Sequence, residues 1–207
     1  GHLVIEGATR GMSLSAARVA ALLSDRGIGG DDADARNRLE RMARGASNKD
    51  REALDLADRY ARIAGAKSDT QNTDVGALIA LAFPERVAQA RGKPGAFVTV
   101  SGRGAAIPPE NALAREPFLA IAEMQGAAAE ARITLAAPIN RAMIETLFAQ
   151  DIETIEDAGF DAQTRSVRSR KVTRLGRVIL SEGPGAKLDP DAAAKALAAG
   201  LQGLGFP

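Results

Sequence analysis

The chain has 207 residues, 45% of them hydrophobic, and a formal net charge of +1, enough for one large domain or two small ones with a core. It has no Cys, and its single His is His2, within a Gly1-His2 pair that reads as the scar of a removed purification tag. That composition excludes a Ser-His-Asp triad, a Cys-His pair and an ordinary zinc site. No apolar run nears the roughly 20 residues that span a bilayer and no signal peptide is visible, so the expected setting is cytoplasmic, away from membranes.

The first third reads as helices. Residues 13–26 place Ala16, Val19, Ala20 and Leu23 at helical spacing, with Ser13 or Ser15 as cap and Gly27 after the end. GIGGDD is a loop. A second helix over 32–45 has a thin stripe of Ala35, Leu39 and Met42. A third, over 49–64, lines up Leu54, Ala57, Ala61 and Ala64 behind Asn48 as cap. KSDTQNTD (67–74) is a polar linker and the expected domain boundary, giving a helical segment over 1–74 and a second domain over 75–207.

VGALIALAF is a short apolar helix, and Pro84 restarts the chain as a second one, PERVAQA, which ends in the turn RGKPG. The period then changes to two. AFVTVS (96–101), PFLAIAEM (117–124) and EARITLAA (130–137) read as strands. PINRAMIETLFA (138–149) is a helix, with Ile139, Met143, Ile144 and Leu147 on its buried face. ETIEDAGF (153–160), 165–174 and LGRVILS (175–181) are strands, and LDPDAAAKALAAGLQGLG closes the chain as a helix. Three strands, a helix and two strands is the order of the five-stranded OB barrel. The expected class is therefore α+β: a helical segment, an OB-like five-stranded β-barrel with a helix between strands three and four, and a C-terminal helix.

No motif for group transfer appears. GAKS (65–68) lacks the glycines of a phosphate-cradling loop, and GRGA (102–105) lacks a third glycine. Adjacent acids such as Asp31-Asp32 and Glu156-Asp157 fit a solvated surface. The chain alone reads as a non-enzyme, with no catalytic residue, no metal site and no cofactor of its own.

Charge is unevenly spread. Residues 1–74 are neutral, 75–160 carry −3 and 161–207 carry +4. Most of the excess lies in TRSVRSRKVTRLGRV (164–178), where six of fifteen residues are basic: Arg165, Arg168, Arg170, Lys171, Arg174 and Arg177. By strand alternation Arg168, Arg170 and Arg174 share one face with Val172, and Lys171 shares the other with Ser169, Thr173 and Leu175. Three readings stay open: a nucleic-acid track, an edge strand whose charge discourages sheet-to-sheet pairing, or a surface for a protein or other anionic partner. Arg91 and Lys93 in RGKPG extend the track or form a solvated turn. The arginines at 36, 38, 41 and 44 alternate with acids, as on a solvated helix face.

Six segments carry a resemblance: AARVAALLSDR (16–26), GALIALAFPERVAQARG (76–92), VSGRGAAI (100–107), ARITLAAPI (131–139), LGRVILSE (175–182) and ALAAGLQGLG (196–205). In this order they resemble HrpB-type ATP-dependent helicases of the DEAH/RHA group. The resemblance implies a fragment. The two motor domains, which would hold ATP and Mg, precede this region in the family, so no ATPase residue carries over. The first third would be the later part of the helicase-associated helical domain, and residues from about 75 the OB-like domain. Together they would guide or clamp single-stranded nucleic acid, RNA or DNA, and dock on the motor domains of the same protein. The implied nucleic-acid-binding residues are Arg103 in the loop GRGAAIPPENALARE, with Arg165, Arg168, Arg170, Lys171, Arg174 and Arg177 beyond a second loop at DAQT. Phe83 and Phe160 stand where the family often has Tyr and Trp, which weakens base stacking at those positions. The reading from another class is a protein-interaction platform that couples the motor to a partner.

Overall fold

A computed structural model describes residues 2–66, 69, 74–126, 130–161 and 166–185, except for the side chains of His2, 157–161 and 166–168. By internal contacts the chain divides into two compact units, Gly1–Ala149 and Gln150–Pro207. Helices and barrel both belong to the first, and the position expected for a boundary, near residue 74, falls inside it.

The first unit begins with four helices, α1 (His2–Thr9), α2 (Ser13–Leu22), α3 (Ala35–Ala43) and α4 (Asn48–Ile63). α1 was not expected from the sequence. It packs against α2 through small residues: a Cβ on Gly7 would stand 2.3 Å from Cβ of Ala16. The cap of α4 is Ser47, not Asn48. Its hydroxyl accepts from Asp50 N–H at 3.0 Å, and the Asp50 carboxylate accepts from Ser47 N–H at 3.0 Å, a reciprocal box that satisfies two end donors. The start of α2 is held neither by Ser13 nor by Ser15. Asp69, from the polar linker, accepts from Leu14 N–H at 2.8 Å, from Ser15 N–H at 3.1 Å and from the Ser15 hydroxyl. A carboxylate 55 residues away in sequence thus does the work of an N-cap.

Asp74 caps α5 (Val75–Ala82), accepting from Ala77 N–H at 3.0 Å. Only Pro84–Arg86 of PERVAQA is helical, as one 3-10 turn; Val87–Ala90 is strand β1. Val87 and Ala88 are fully buried, and β1 finds ladder partners on both sides, which outweighs a local composition that favours helix. Arg86 locks the corner: its guanidinium lies 4.5 Å from the Phe83 ring centre, donates to Ala122 O at 2.8 Å and pairs with Glu85 at 3.1 Å.

The strands β1, β2 (Ala96–Thr99), β3 (Gly104–Ala106), β4 (Phe118–Gln125) and β5 (Ala131–Pro138) form a closed barrel in the order β1-β2-β3-β5-β4, with β4 returning to β1. All pairings are antiparallel except β3 with β5. The α+β class and the five-stranded barrel stand as expected, and β2, β4 and β5 are strands predicted from the sequence, but β1 and β3 take the places expected for the two strands after residue 150. All five precede residue 139. The helical element between strands three and four is the 3-10 turn Ala112–Arg115, and the helix expected there, α6 (Arg141–Leu147), follows strand five. Phe97, Leu113, Leu119, Ile121 and Ile133 fill the barrel. α5 covers β4 and β5, so close that a Cβ on Gly76 would lie 2.0 Å from Pro138 O.

The second unit holds a three-stranded antiparallel sheet of β6 (Ile152–Asp161), β7 (Ser166–Leu175) and β8 (Val178–Pro184), in that order. The expected closing helix lies outside the described residues.

Candidate nucleic-acid interface

The basic strand is β7, and it is the central strand of its sheet. The edge-protection reading therefore fails: both sides of β7 carry ladder bonds, to β6 and to β8. The register sets Arg174 opposite Glu153, Lys171 opposite Glu156 and Arg170 opposite Asp157. Arg174 reaches Glu153 at 3.3 Å, and Arg170 reaches Glu182 of β8 at 2.9 Å. Acids on both neighbours thus answer the charge that stood out in the sequence. Opposite charges facing across strands stabilise a sheet by a few tenths to about 1 kcal/mol per pair.

Lys171 and Arg177 are exposed and have no ion pair among the described residues. Arg177 sits at the tip of the two-residue turn between β7 and β8, beside Gly176 at φ 54°. Arg168 pairs through its backbone with Gly159. Arg165 lies outside the described residues, as do 162–164 of the expected DAQT loop.

Arg103 belongs to the first unit, in the turn between β2 and β3. Its guanidinium donates to Gly126 O at 2.7 Å, which ties that turn to the start of the β4–β5 loop. Its backbone N–H donates to the Thr99 hydroxyl at 3.0 Å. Arg103 is thus half-buried and engaged, not extended into solvent.

With β1 at Val87–Ala90, the loops change identity. The loop between strands one and two is RGKPG, residues 91–95, and not GRGAAIPPENALARE, which contains β3 itself. The loop between strands four and five runs from Gly126 to Glu130, with 127–129 outside the described residues. Arg91 and Lys93 stand exposed on the first loop, without ion pairs among the described residues. The loop is firmly built: Gly95 donates to Ala114 O at 3.0 Å and accepts from Ile107 N–H at 2.8 Å, and a Cβ there would lie 2.2 Å from Ile107 O. Its φ of 84° suits glycine.

Between the loops lies the outer face of β2, β3 and β5. Phe97 and Thr99 point inward, so Ala96 and Val98 face out. Ala96 pairs with Ala106, and Ala106 with the exposed Arg132. Arg132 was missed in the sequence, although the alternation Ala131-Arg132-Ile133-Thr134-Leu135 marks it as outward. This face offers small side chains and the guanidinium of Arg132, and no aromatic ring.

Comparison with solved structures gives two instructive matches. The Escherichia coli DExH-box NTPase HrpB matches 93% of this chain at TM-score 0.69 and 21% identity. A second structure, the Escherichia coli DEAH/RHA helicase HrpB, matches 94% at TM-score 0.66 and 19% identity. This chain shares its fold with part of HrpB. It spans 23% and 24% of the length of those chains. No family model and no curated protein matches it. Helices, barrel and following sheet thus recur together in a helicase, in the fold expected from the six segments.

Proposed function

We propose that this chain is an accessory region of an ATP-dependent helicase that guides or clamps single-stranded nucleic acid and docks on the motor domains of the same protein. The fold shared with HrpB over 93% of the chain carries the reading. Within it, the barrel loop between strands one and two, a usual binding loop of OB-type barrels, offers Arg91 and Lys93 to solvent. Arg132 on the same barrel and Lys171 and Arg177 in the second unit are further phosphate contacts. Without aromatics the contact is ionic, so affinity is low, nearly independent of base and strongly reduced by salt. ATP and Mg belong to the motor, not to this chain.

The pairing of Arg174 with Glu153 and Arg170 with Glu182 favours a second reading for the sheet. A charge-balanced sheet suits a protein-interaction platform better than a phosphate track.

Fluorescence anisotropy with labelled single-stranded RNA and DNA over a salt series separates the two. On the first reading the chain binds, with a log–log slope of about −0.7 per phosphate contact. Arg91→Ala/Lys93→Ala lowers both affinity and slope, while Arg170→Ala/Arg174→Ala changes them little. No binding by the folded chain at low salt overturns the nucleic-acid reading and leaves the platform.

A further inference from the structure

The strand β6 is an edge of its sheet, and it lacks the devices that keep edges from pairing. Such edges are usually short, bulged, interrupted by Pro or guarded by Lys. β6 runs for 10 residues, Ile152–Asp161, with the sequence IETIEDAGFD, which has neither Pro nor Lys. Its pairs with β7 follow one another without a register shift, so the strand has no bulge. The other edge, β8, has these devices. Its ladder shifts register between Thr173 and Arg174, and it ends on Pro184, which has no N–H to offer. Among the described residues, no strand and no other backbone group bonds the outer side of β6. That side therefore presents a row of open donors and acceptors.

The side chains of β6 decide what can pair there. Glu153, Thr154, Ile155 and Glu156 are exposed. The strand on the inner side shows the complement that suits them: Arg174 stands opposite Glu153, Thr173 opposite Thr154, Val172 opposite Ile155 and Lys171 opposite Glu156. Opposite charges and β-branched pairs that face across strands stabilise a ladder. The carboxylates can accept more than β7 gives them. Glu153 pairs with Arg174 at 3.3 Å, yet its side chain stays 64% exposed, and Glu156 has no ion pair among the described residues. A second copy is a poor occupant, because β6 carries Glu153, Glu156, Asp157 and Asp161 and no base. Paired antiparallel about Ile155, two copies would set Glu153 against Asp157, and like charges directly opposite destabilise a ladder. The same acids repel a nucleic-acid strand.

We infer that the outer edge of β6 takes an added strand from a partner protein. The segment is extended and carries two basic residues flanking two β-branched ones, as Lys171-Val172-Thr173-Arg174 does. Backbone hydrogen bonds lay it along Ile152–Glu156, and its basic ends meet Glu153 and Glu156. The ladder gives the affinity and the basic positions give the choice of partner. This rests on the reading of the sheet as a protein-interaction platform, and it names the edge that binds and the chemistry of what is bound.

The test is an amide chemical-shift and hydrogen-exchange titration of the chain with the end-capped heptapeptide Ser-Arg-Lys-Val-Thr-Arg-Leu, which repeats residues 169–175. The expected result is saturable shifts at Ile152–Glu156, with a dissociation constant below about 1 mM and slowed exchange at alternate amides of that run. Glu156→Lys weakens binding by about fivefold. A second comparison leaves the protein untouched. The peptide is N-methylated at every second residue, in each of the two phases, which keeps its charge and in one phase removes its ladder donors. That phase binds at least about tenfold more weakly than the other, as does a peptide with Glu at the three basic positions. Equal binding by both N-methylated peptides overturns the inference, because charge alone then suffices. Shifts only at residues outside 152–156 overturn the edge and leave the platform reading standing. Shifts at 152–156 that come instead from raising the protein concentration, with a dimer in sedimentation, make a second copy the occupant and overturn it too. So does the absence of any shift up to about 10 mM peptide, well above the expected dissociation constant.

Discussion

Asp50 shows how much one side chain can hold. It is 4% exposed, closes the box at the start of α4 and fixes Gly29 in the loop that faces the barrel. Burial pushes its carboxyl up, but the Gly29 N–H, the hydrogen bonds with Ser47 and the charge of Arg41 outweigh burial and hold it below the usual carboxylate value. Its folded value therefore lies below its unfolded one. The stabilisation is whole above the unfolded value of about 4 and is lost as pH falls through the folded value. Asp32 behaves alike: burial raises it, and the Asp34 N–H, Asn37, Arg38 and Arg41 together lower it further. Urea midpoints measured between neutral pH and pH 3 should fall on the acid side. Asp50→Ala should cost about 1–3 kcal/mol at neutral pH and flatten the acid fall. A variant as acid-labile as the parent would remove Asp50 from this account. The role was hidden in the sequence, where Asn48 looked like the cap. Only the fold brings Gly29 to it, 21 residues back.

Among elements, two cases show local pattern yielding to tertiary partners. α2 begins without a side-chain cap of its own, because Met12 occupies the cap position. Asp69 supplies the missing acceptor from a linker whose polar composition suggested only a boundary. Asp69→Ala should lower stability by roughly 1 kcal/mol, as loss of an N-cap does, and should raise amide exchange at Leu14 and Ser15 before other positions in α2. An effect spread evenly over the helix would contradict a local cap. β7 is the converse: its composition was conspicuous and its neighbours were not. A double-mutant cycle on Arg174→Ala and Glu153→Ala should give a coupling of about 0.2–1 kcal/mol that salt reduces. Zero coupling at low salt would return Arg174 to the pool of charge open to nucleic acid. β1 and β3 escaped detection because Val-Ala-Gln-Ala and Gly-Ala-Ala have weak strand preference. They are strands because the barrel must close, and unpaired backbone at a buried seam is costly.

At the scale of the whole molecule, the composition ruled out thiol chemistry of this chain's own, because it has no Cys. The change from helical to alternating apolar spacing near residue 96 announced the barrel but came one strand late, after β1 at Val87–Ala90, although burial on a helix stripe and on a strand face follow different periods. The helices near 13–26, 32–45 and 49–64 were legible for the same reason, and the six ordered segments led to the fold that HrpB shares. The arrangement of strands was not legible: pairing joins residues far apart in sequence, and a four-residue strand has too few side chains to declare a period. Placement of the site followed from that arrangement. Once Val87–Ala90 closes the barrel, the turn RGKPG becomes the loop between its first two strands, Arg103 becomes a tie to Gly126 O, and the basic strand lies between acids. A sequence states which charges a chain carries; which of them remain without a partner depends on what folding sets beside them.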